Sequence, residues 1–247
     1  MTPNPILRVL STFNKSDVKA LLIGGQACII YGAAEFSRDS DFAVLADPDN
    51  LSKLQNAINE LHGELIYFPE FKIEYLQKGH AVHFRCKRED VSSLRVDLLA
   101  KMRGCDDFEI IWNRRTILDM PEVGLVNVIS LQDLVRSKKT QRDKDWLMIK
   151  RLVENDFAIN KDNPSDEKIK WWLIESRTPE NIINLCSKYP ALVRDLMPIR
   201  PLLSAAISAD RQDLELKLIL EEKLERQNDT AYWAPLKKEL ESLRHLK

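Results

Sequence analysis

One stretch restricts the folds open to this chain: LLIGGQACIIYGAAEFSRDSDFAVL, residues 21–45. The apolar run at 20–23 has the length of a buried strand. Gly24-Gly25 follows, then a short helical segment at 26–31 closed by Gly32. After a loop, Arg38-Asp39-Ser40-Asp41 runs into a second apolar strand at 42–45. The order is strand, glycine turn, helix, then two carboxylates at the mouth of the next strand. Glycines let backbone N–H groups approach a phosphate at a helix N-terminus. The carboxylates can hold the divalent metal that accompanies such a phosphate.

The spacing of the acids has a geometric meaning. Residues two apart on an extended chain point to one side, so Asp39 and Asp41 would stand roughly 6.5 Å apart along it. Such a pair can bracket one ion or help seat two ions about 4 Å apart. Phe42 and Val44 then face differently and are free to enter the core. With 38 acidic residues among 247, D-x-D triplets also arise by chance, and Asp47-Pro48-Asp49 is one. That second triplet reads as a turn and helix start, with Asn50 as the cap.

Composition narrows the classes. A net charge of −1 excludes a polycation that binds nucleic acid by bulk attraction, so any such binding needs a local patch. Cys28, Cys86, Cys105 and Cys186 are scattered with no C-x-x-C, as expected of small apolar fillers in a reducing compartment. No stretch is long and apolar enough to cross a bilayer, and the N-terminus lacks a basic region followed by a long apolar run. The expectation is a soluble, cytoplasmic protein with no membrane partner.

Taken in order, residues 5–13 read as a first helix with Ile6, Val9, Leu10 and Phe13 on one face. Residues 51–61 form a strong helical pattern ended by Gly63. Strands are expected at 65–68, 71–76 and 81–86. His80 and His83 fall on opposite faces of a strand, which argues against a shared zinc. Leu94-Arg95-Val96-Asp97-Leu98-Leu99 reads as a buried strand carrying one carboxylate. An acid there is costly unless it is paired or bound to metal. Asp97 is thus either the third acid of the Asp39/Asp41 pair, or the partner of an arginine such as Arg95 or Arg38, or exposed at a strand end.

Shorter strands are expected at 108–112, 115–118 and 123–128. Ser130 then caps a helix, with Asp133 completing a capping box. If that helix is continuous, Leu131, Leu134, Val135, Trp146, Ile149, Leu152 and Val153 share a side with Lys138, Arg142 and Asp145. Charges within an apolar face suit a polar cleft where cations meet phosphates. Alternatively, the helix breaks near Thr140-Gln141, or Asp145 neutralises Arg142. Residues 155–167 are polar and aperiodic and read as a linker. Beyond them strand signals stop and proline-punctuated helices follow, including 180–188, 214–226 and 234–246. Trp171-Trp172 is better explained by core packing than by base stacking. The expected fold is α+β: a small mixed sheet with flanking helices over 1–156, then an all-helical domain over 157–247.

The strand–Gly24-Gly25–helix unit, the Arg38-Asp39-Ser40-Asp41-Phe42 element and the Arg95–Leu99 strand together resemble the minimal nucleotidyltransferase domain of the DNA polymerase β-like superfamily. LVRSKKTQRDKDW, residues 134–146, is similar to the Lys-then-Lys-Asp helix of its bacterial stand-alone branch, which includes toxins of toxin–antitoxin and abortive-infection systems. The resemblance covers roughly residues 15–155. It implies that Asp39, Asp41 and Asp97 bind Mg2+ or Mn2+, and that Asp97 helps activate the attacking hydroxyl. It implies that Gly24 and Gly25 lie against the triphosphate, although the second position, often Ser in the family, is Gly25. Lys138, with Lys139 a close competitor, matches the phosphate-binding lysine, and Asp145 the acid that orients its neighbours. Arg38 and Arg142 join these as phosphate-binding candidates.

The implied reaction moves a nucleoside monophosphate from a nucleoside triphosphate to a hydroxyl acceptor, either RNA such as tRNA or a protein, and releases pyrophosphate. An antitoxin protein is a further partner the resemblance allows. The competing expectation is a non-catalytic module that binds a nucleotide or a partner on the same fold.

Overall fold

The computed structural model describes residues 5–245. Residues 1–4, which open the expected first domain, and 246–247, which include the end of the last expected helix, lie outside the described residues. The architecture is α+β, with a mixed sheet, flanking helices and a C-terminal helical region. Two compact units are present. One comprises Met1–Ile30, Ala34–Ser137 and Tyr232–Lys247; the other comprises Tyr31–Ala33 and Lys138–Ala231.

The first unit runs α1 (Pro5–Lys15), β1 (Ala20–Ile23), α2 (Gly24–Ile30), β2 (Asp39–Val44), α3 (Pro48–Glu60), β3 (Gly63–Leu65), α4 (Ile73–Lys78), β4 (Val82–Cys86), β5 (Arg95–Leu99), α5 (Phe108–Asn113), β6 (Thr116–Met120), β7 (Gly124–Val128) and α6 (Leu131–Ser137). Its sheet has the order β3-β4-β5-β2-β1-β7-β6. The pairs β2/β5 and β1/β7 are parallel and the others antiparallel. The strands at 20–23, 81–86 and 94–99 appear as expected, give or take a residue. Apolar side chains on one sheet face form the core. Phe42 of β2 meets Phe13 of α1 with ring centroids 4.8 Å apart, and Val96 and Leu98 beside it are fully buried.

Several local expectations are corrected. Asp47, not Asn50, caps α3: its Oδ1 accepts the Asn50 N–H at 2.7 Å, with Pro48 opening the helix. Asn50 is buried instead and ties two loops together. It accepts the Lys19 N–H at 2.7 Å and donates to the Lys19 and Leu45 carbonyls at 3.1 and 2.8 Å. The run at 71–76 is not a strand; Ile73–Lys78 is helical and is closed by Gly79 in the left-handed region. The run at 108–112 is helical as well, because Phe108 and Ile111, three apart, are the residues it buries. Ser130 caps α6 as expected, but Asp133 answers through the serine hydroxyl rather than the backbone N–H of a full capping box. Ser130 Oγ accepts the Asp133 N–H at 3.1 Å and donates to the Asp133 carboxylate at 2.7 Å. That carboxylate, fully buried, also receives two bonds from Arg114, both at 2.6 Å.

The second unit contains α7 (Asp143–Asn160), α8 (Asp166–Glu175), α9 (Pro179–Lys188), α10 (Pro190–Leu196), α11 (Leu203–Ile207) and most of α12 (Arg211–His245), whose residues from Tyr232 count with the first unit. The helix beginning at 131 is not continuous. It stops at Ser137 and resumes at Asp143, which is the break allowed for near Thr140-Gln141. The polar stretch at 155–167 is not a free linker, since α7 continues through its first six residues. The two final helices expected are one, with Pro235 inside it. Trp172 is core, as favoured: it is 1% exposed, packs edge-on to Phe157 and donates its ring N–H to Asp156 at 2.8 Å. No helix among the described residues is long and apolar enough to cross a membrane.

Candidate active site

The acids of the first unit are placed by strand register. Parallel pairing of β2 with β5 sets Asp39 opposite Arg95 and Asp41 opposite Asp97. Opposed residues in a ladder share a face, with strands about 4.8 Å apart. Ser40 and Phe42, and Val96 and Leu98, alternate onto the buried side and are at most 1% exposed. Asp39, Asp41 and Asp97 therefore project from one face of two adjacent strands. Antiparallel pairing of β4 with β5 adds His83, opposite Asp97, to that face.

The glycine turn lies against this row. β1 ends at Ile23, paired with Asp41, and Gly24 follows directly. Gly24 has φ +65°, and a Cβ built on it would stand 2.0 Å from Asp41 Oδ2. At Gly25 a Cβ would meet Ser37 Oγ at 2.3 Å. Ser37 in turn donates to the Asp39 carbonyl at 3.1 Å, and Gln26 donates to the Ser37 carbonyl at 3.3 Å. The helix after the turn starts at Gly24 itself rather than at Gln26 and is seven residues long. Arg38 is exposed in the loop before β2.

Asp97, 8% exposed, is held by its neighbours on the face. Arg95 Nε donates to Asp97 Oδ1 at 2.7 Å. His83 Nδ1 lies 2.9 Å from the same oxygen and 3.0 Å from the second guanidinium nitrogen of Arg95. Guanidinium only donates, so Nδ1 is the acceptor in that contact and serves one of the two partners at a time. The Tyr67 ring centroid is 5.7 Å from the Arg95 guanidinium carbon, and its edge meets His83. Burial alone would lower the Arg95 pKa. The hydrogen bond to Asp97, with the charges of Asp97 and Asp39, more than offsets burial and holds it above its ordinary value. The pairing of Asp97 with Arg95, one of the alternatives open from the sequence, is thus present. His83 and Tyr67 are the neighbours that the sequence did not point to.

Lys138, Lys139, Arg142 and Asp145 lie in the second unit, around the break at 138–142. Lys138, 8% exposed, donates to Asp145 Oδ1 at 3.1 Å. Asp145 Oδ2 receives Thr140 Oγ1 at 2.6 Å and Arg142 Nε at 2.7 Å. Trp146 caps the turn by donating its ring N–H to the Thr140 carbonyl at 2.7 Å. Lys139 pairs with Glu175 at 2.7 Å. Burial raises the Asp145 carboxyl, but Lys138, Thr140 and Arg142 outweigh it and hold the group below the usual carboxylate range.

Among the described residues, no three His, Cys, Asp or Glu side chains are gathered tightly enough to form a metal centre as they stand. The donor chemistry of the β2/β5 face nonetheless suits a hard divalent cation: carboxylates on one face, no thiol, and a glycine bend where a Cβ would collide with one of them. The guanidinium of Arg95 supplies positive charge among these acids.

No protein-family model matches the chain, and no curated protein matches it. Among solved structures, it is similar to the crystal structure of a "putative nucleotidyltransferase" from H. pylori. The identity is 13% and the TM-score 0.41, over 92% of this chain and 94% of that one.

Proposed function

We propose that this protein is a nucleotidyltransferase, transferring a nucleoside monophosphate from a nucleoside triphosphate to a hydroxyl acceptor. The observation that carries this reading is the ladder that puts Asp41 directly beside Asp97, with Asp39 on the same face and Gly24 pressed against Asp41. Asp39, Asp41 and Asp97 would hold Mg2+ or Mn2+. Bound there, the ion would stabilise charge on the attacking and leaving oxygens.

The chain's own residues do the remaining work. The acceptor oxygen forms a bond to the α-phosphorus as the bond to the β-phosphate oxygen breaks, and pyrophosphate leaves with that electron pair. The hydroxyl proton passes to a carboxylate of the row, and Asp97, the most buried of the three, is the assigned acceptor. Gly24 and Gly25 keep side chains out of the space against the triphosphate. The family resemblance offers Arg38 in the first unit, and Lys138, Lys139 and Arg142 in the second, as phosphate-binding candidates; within the second unit Asp145 would orient Lys138 and Arg142. No Cys or Ser nucleophile is needed, because placement and charge carry phosphoryl chemistry of this kind.

The finer reading, a toxin that modifies RNA such as tRNA and is held by an antitoxin, is supported by the likeness of residues 134–146 to the bacterial stand-alone branch. A second reading has an observation of its own. Lys138, Lys139 and Asp97 are all engaged in internal pairs, which favours a non-catalytic module that binds a nucleotide or a partner.

Incubation with α- or γ-labelled triphosphates, total RNA and Mg2+ separates the two. Transfer of α label only, abolished by Asp41→Asn, is expected. Nucleotide binding with no label on any acceptor would leave the binding module standing.

A further inference from the structure

We infer that Arg95 is the resident counter-cation of Asp97, and that a divalent ion binding to the acid row takes Asp97 away from it. The inference rests on the metal-dependent reading above and concerns how the site is kept before the metal arrives. Like charges directly opposite each other in a ladder repel, and Asp41 and Asp97 are so placed, with Asp39 two residues along. Arg95 lies two residues before Asp97 on the same face and opposite Asp39, so its guanidinium stands among the acids. It grips Asp97 Oδ1 at 2.7 Å, on the face where a metal would need that carboxylate.

An arginine does not lose its proton in proteins, so this cation cannot release Asp97 by titrating. It leaves only by exchange with another cation. The surroundings make such an exchange feasible. Arg95 already contacts His83 Nδ1 at 3.0 Å and lies over the Tyr67 ring, so partners remain when the carboxylate is withdrawn. Arg95 is thus a positioning residue: it holds Asp97 in place without metal and competes with metal for it.

The test is Mn2+ binding to the full chain without nucleotide, read from the electron paramagnetic resonance signal of free Mn2+. Arg95→Gln is expected to bind Mn2+ about tenfold tighter or more, the equivalent of one hydrogen bond to a charged group. On an Asp97→Asn background the same change is expected to make no difference. Arg95→Lys keeps the charge but not the guanidinium that reaches Asp97 and His83 together, and should bind between wild type and Arg95→Gln; it also carries the test if the glutamine variant fails to fold. A metal-free melting curve checks each variant. Binding no tighter in either arginine variant overturns the inference and leaves the metal-dependent reading standing. A gain that persists with Asp97→Asn also overturns it, since the effect would then be a general field and not competition for one carboxylate. No Mn2+ binding by any form overturns both.

Discussion

Gly24 and Asp41 are neighbours with no space between them: a Cβ on Gly24 would lie 2.0 Å from Oδ2, 2.7 Å from Cγ and 2.8 Å from Cβ of Asp41. Rotating the carboxyl group alone does not relieve such a clash, because Cβ and Cγ are also in the way. The positive φ adds its own penalty for any L side chain. Gly24→Ala is therefore expected to cost about 1–2 kcal/mol of stability. It should also lower the proposed nucleotidyl transfer by about a hundredfold through displacement of Asp41. Melting curves and label transfer measure the two effects separately, and near-wild-type transfer would count against Asp41 as a ligand.

Asp133 is the most completely buried acid of the first unit, and Arg114 grips it from both sides while Ser130 donates a third bond. Removing one member leaves a charge in the core. Arg114→Ala is expected to destabilise by about 2–4 kcal/mol, discounted because Arg114 itself is partly exposed. Chemical denaturation checks this. Asp133→Asn, which leaves no buried charge behind, should cost less.

In the second unit, Asp145 provides a pH dependence. Its folded carboxyl sits below the ordinary value of 3.8, so the unfolded chain binds the proton more readily. The stabilisation is fully present above about pH 4 and is lost as the pH falls through the lowered folded value. Denaturation midpoints measured from pH 6 to pH 2 should decline at the acid end, and Asp145→Asn should flatten part of that decline. A slope unchanged by the substitution would remove Asp145 from the account.

The cysteines should be chemically silent. Burial pushes the Cys86 and Cys186 thiols up to about 11 and Cys105 up to about 12, and Cys28 is 1% exposed. The thiolate is the reactive form, so little of it exists near neutral pH. A thiol-specific chromogenic reagent is expected to find almost no fast-reacting sulfur in the native protein and four on denaturation. Rapid native labelling would show that these side chains are less enclosed than the structure has them.

Much of this site could be read directly from residue order. The apolar runs at 20–23 and 94–99 became strands because a buried strand needs little beyond continuous hydrophobicity. The shared face of Asp39 and Asp41 follows from the alternation of a pleated chain, whereas Asp97 joins them only through the pairing of β2 with β5. The partners of Asp97 were harder to see. Arg95 was visible as a candidate, since it sits two residues away in the same strand. His83 was not, because its position beside Asp97 depends on β4 pairing with β5, a contact no local pattern encodes. The runs at 71–76 and 108–112 are helical where strands are expected, because five or six residues are too few for period to separate helix from strand. For Lys138 and Asp145, the apolar positions at 131–135 and 146–153 are in helical phase across a polar stretch at 136–145, so a continuous helix and a broken one fit the pattern equally, while the hydrogen bonds of Thr140, Arg142 and Trp146 stabilise the break.

The alternation of β2 carries a consequence for how the protein can vary. Inserting or deleting a single residue between Asp39 and Phe42 would send one acid inward and bring an aromatic ring out to water. The placement of the acids and hydrophobic burial are thus written in the same reading frame of one short strand. A variant that loses the frame should fail to fold before it fails to bind, so length changes in this strand are expected to give insoluble protein rather than soluble, inactive protein.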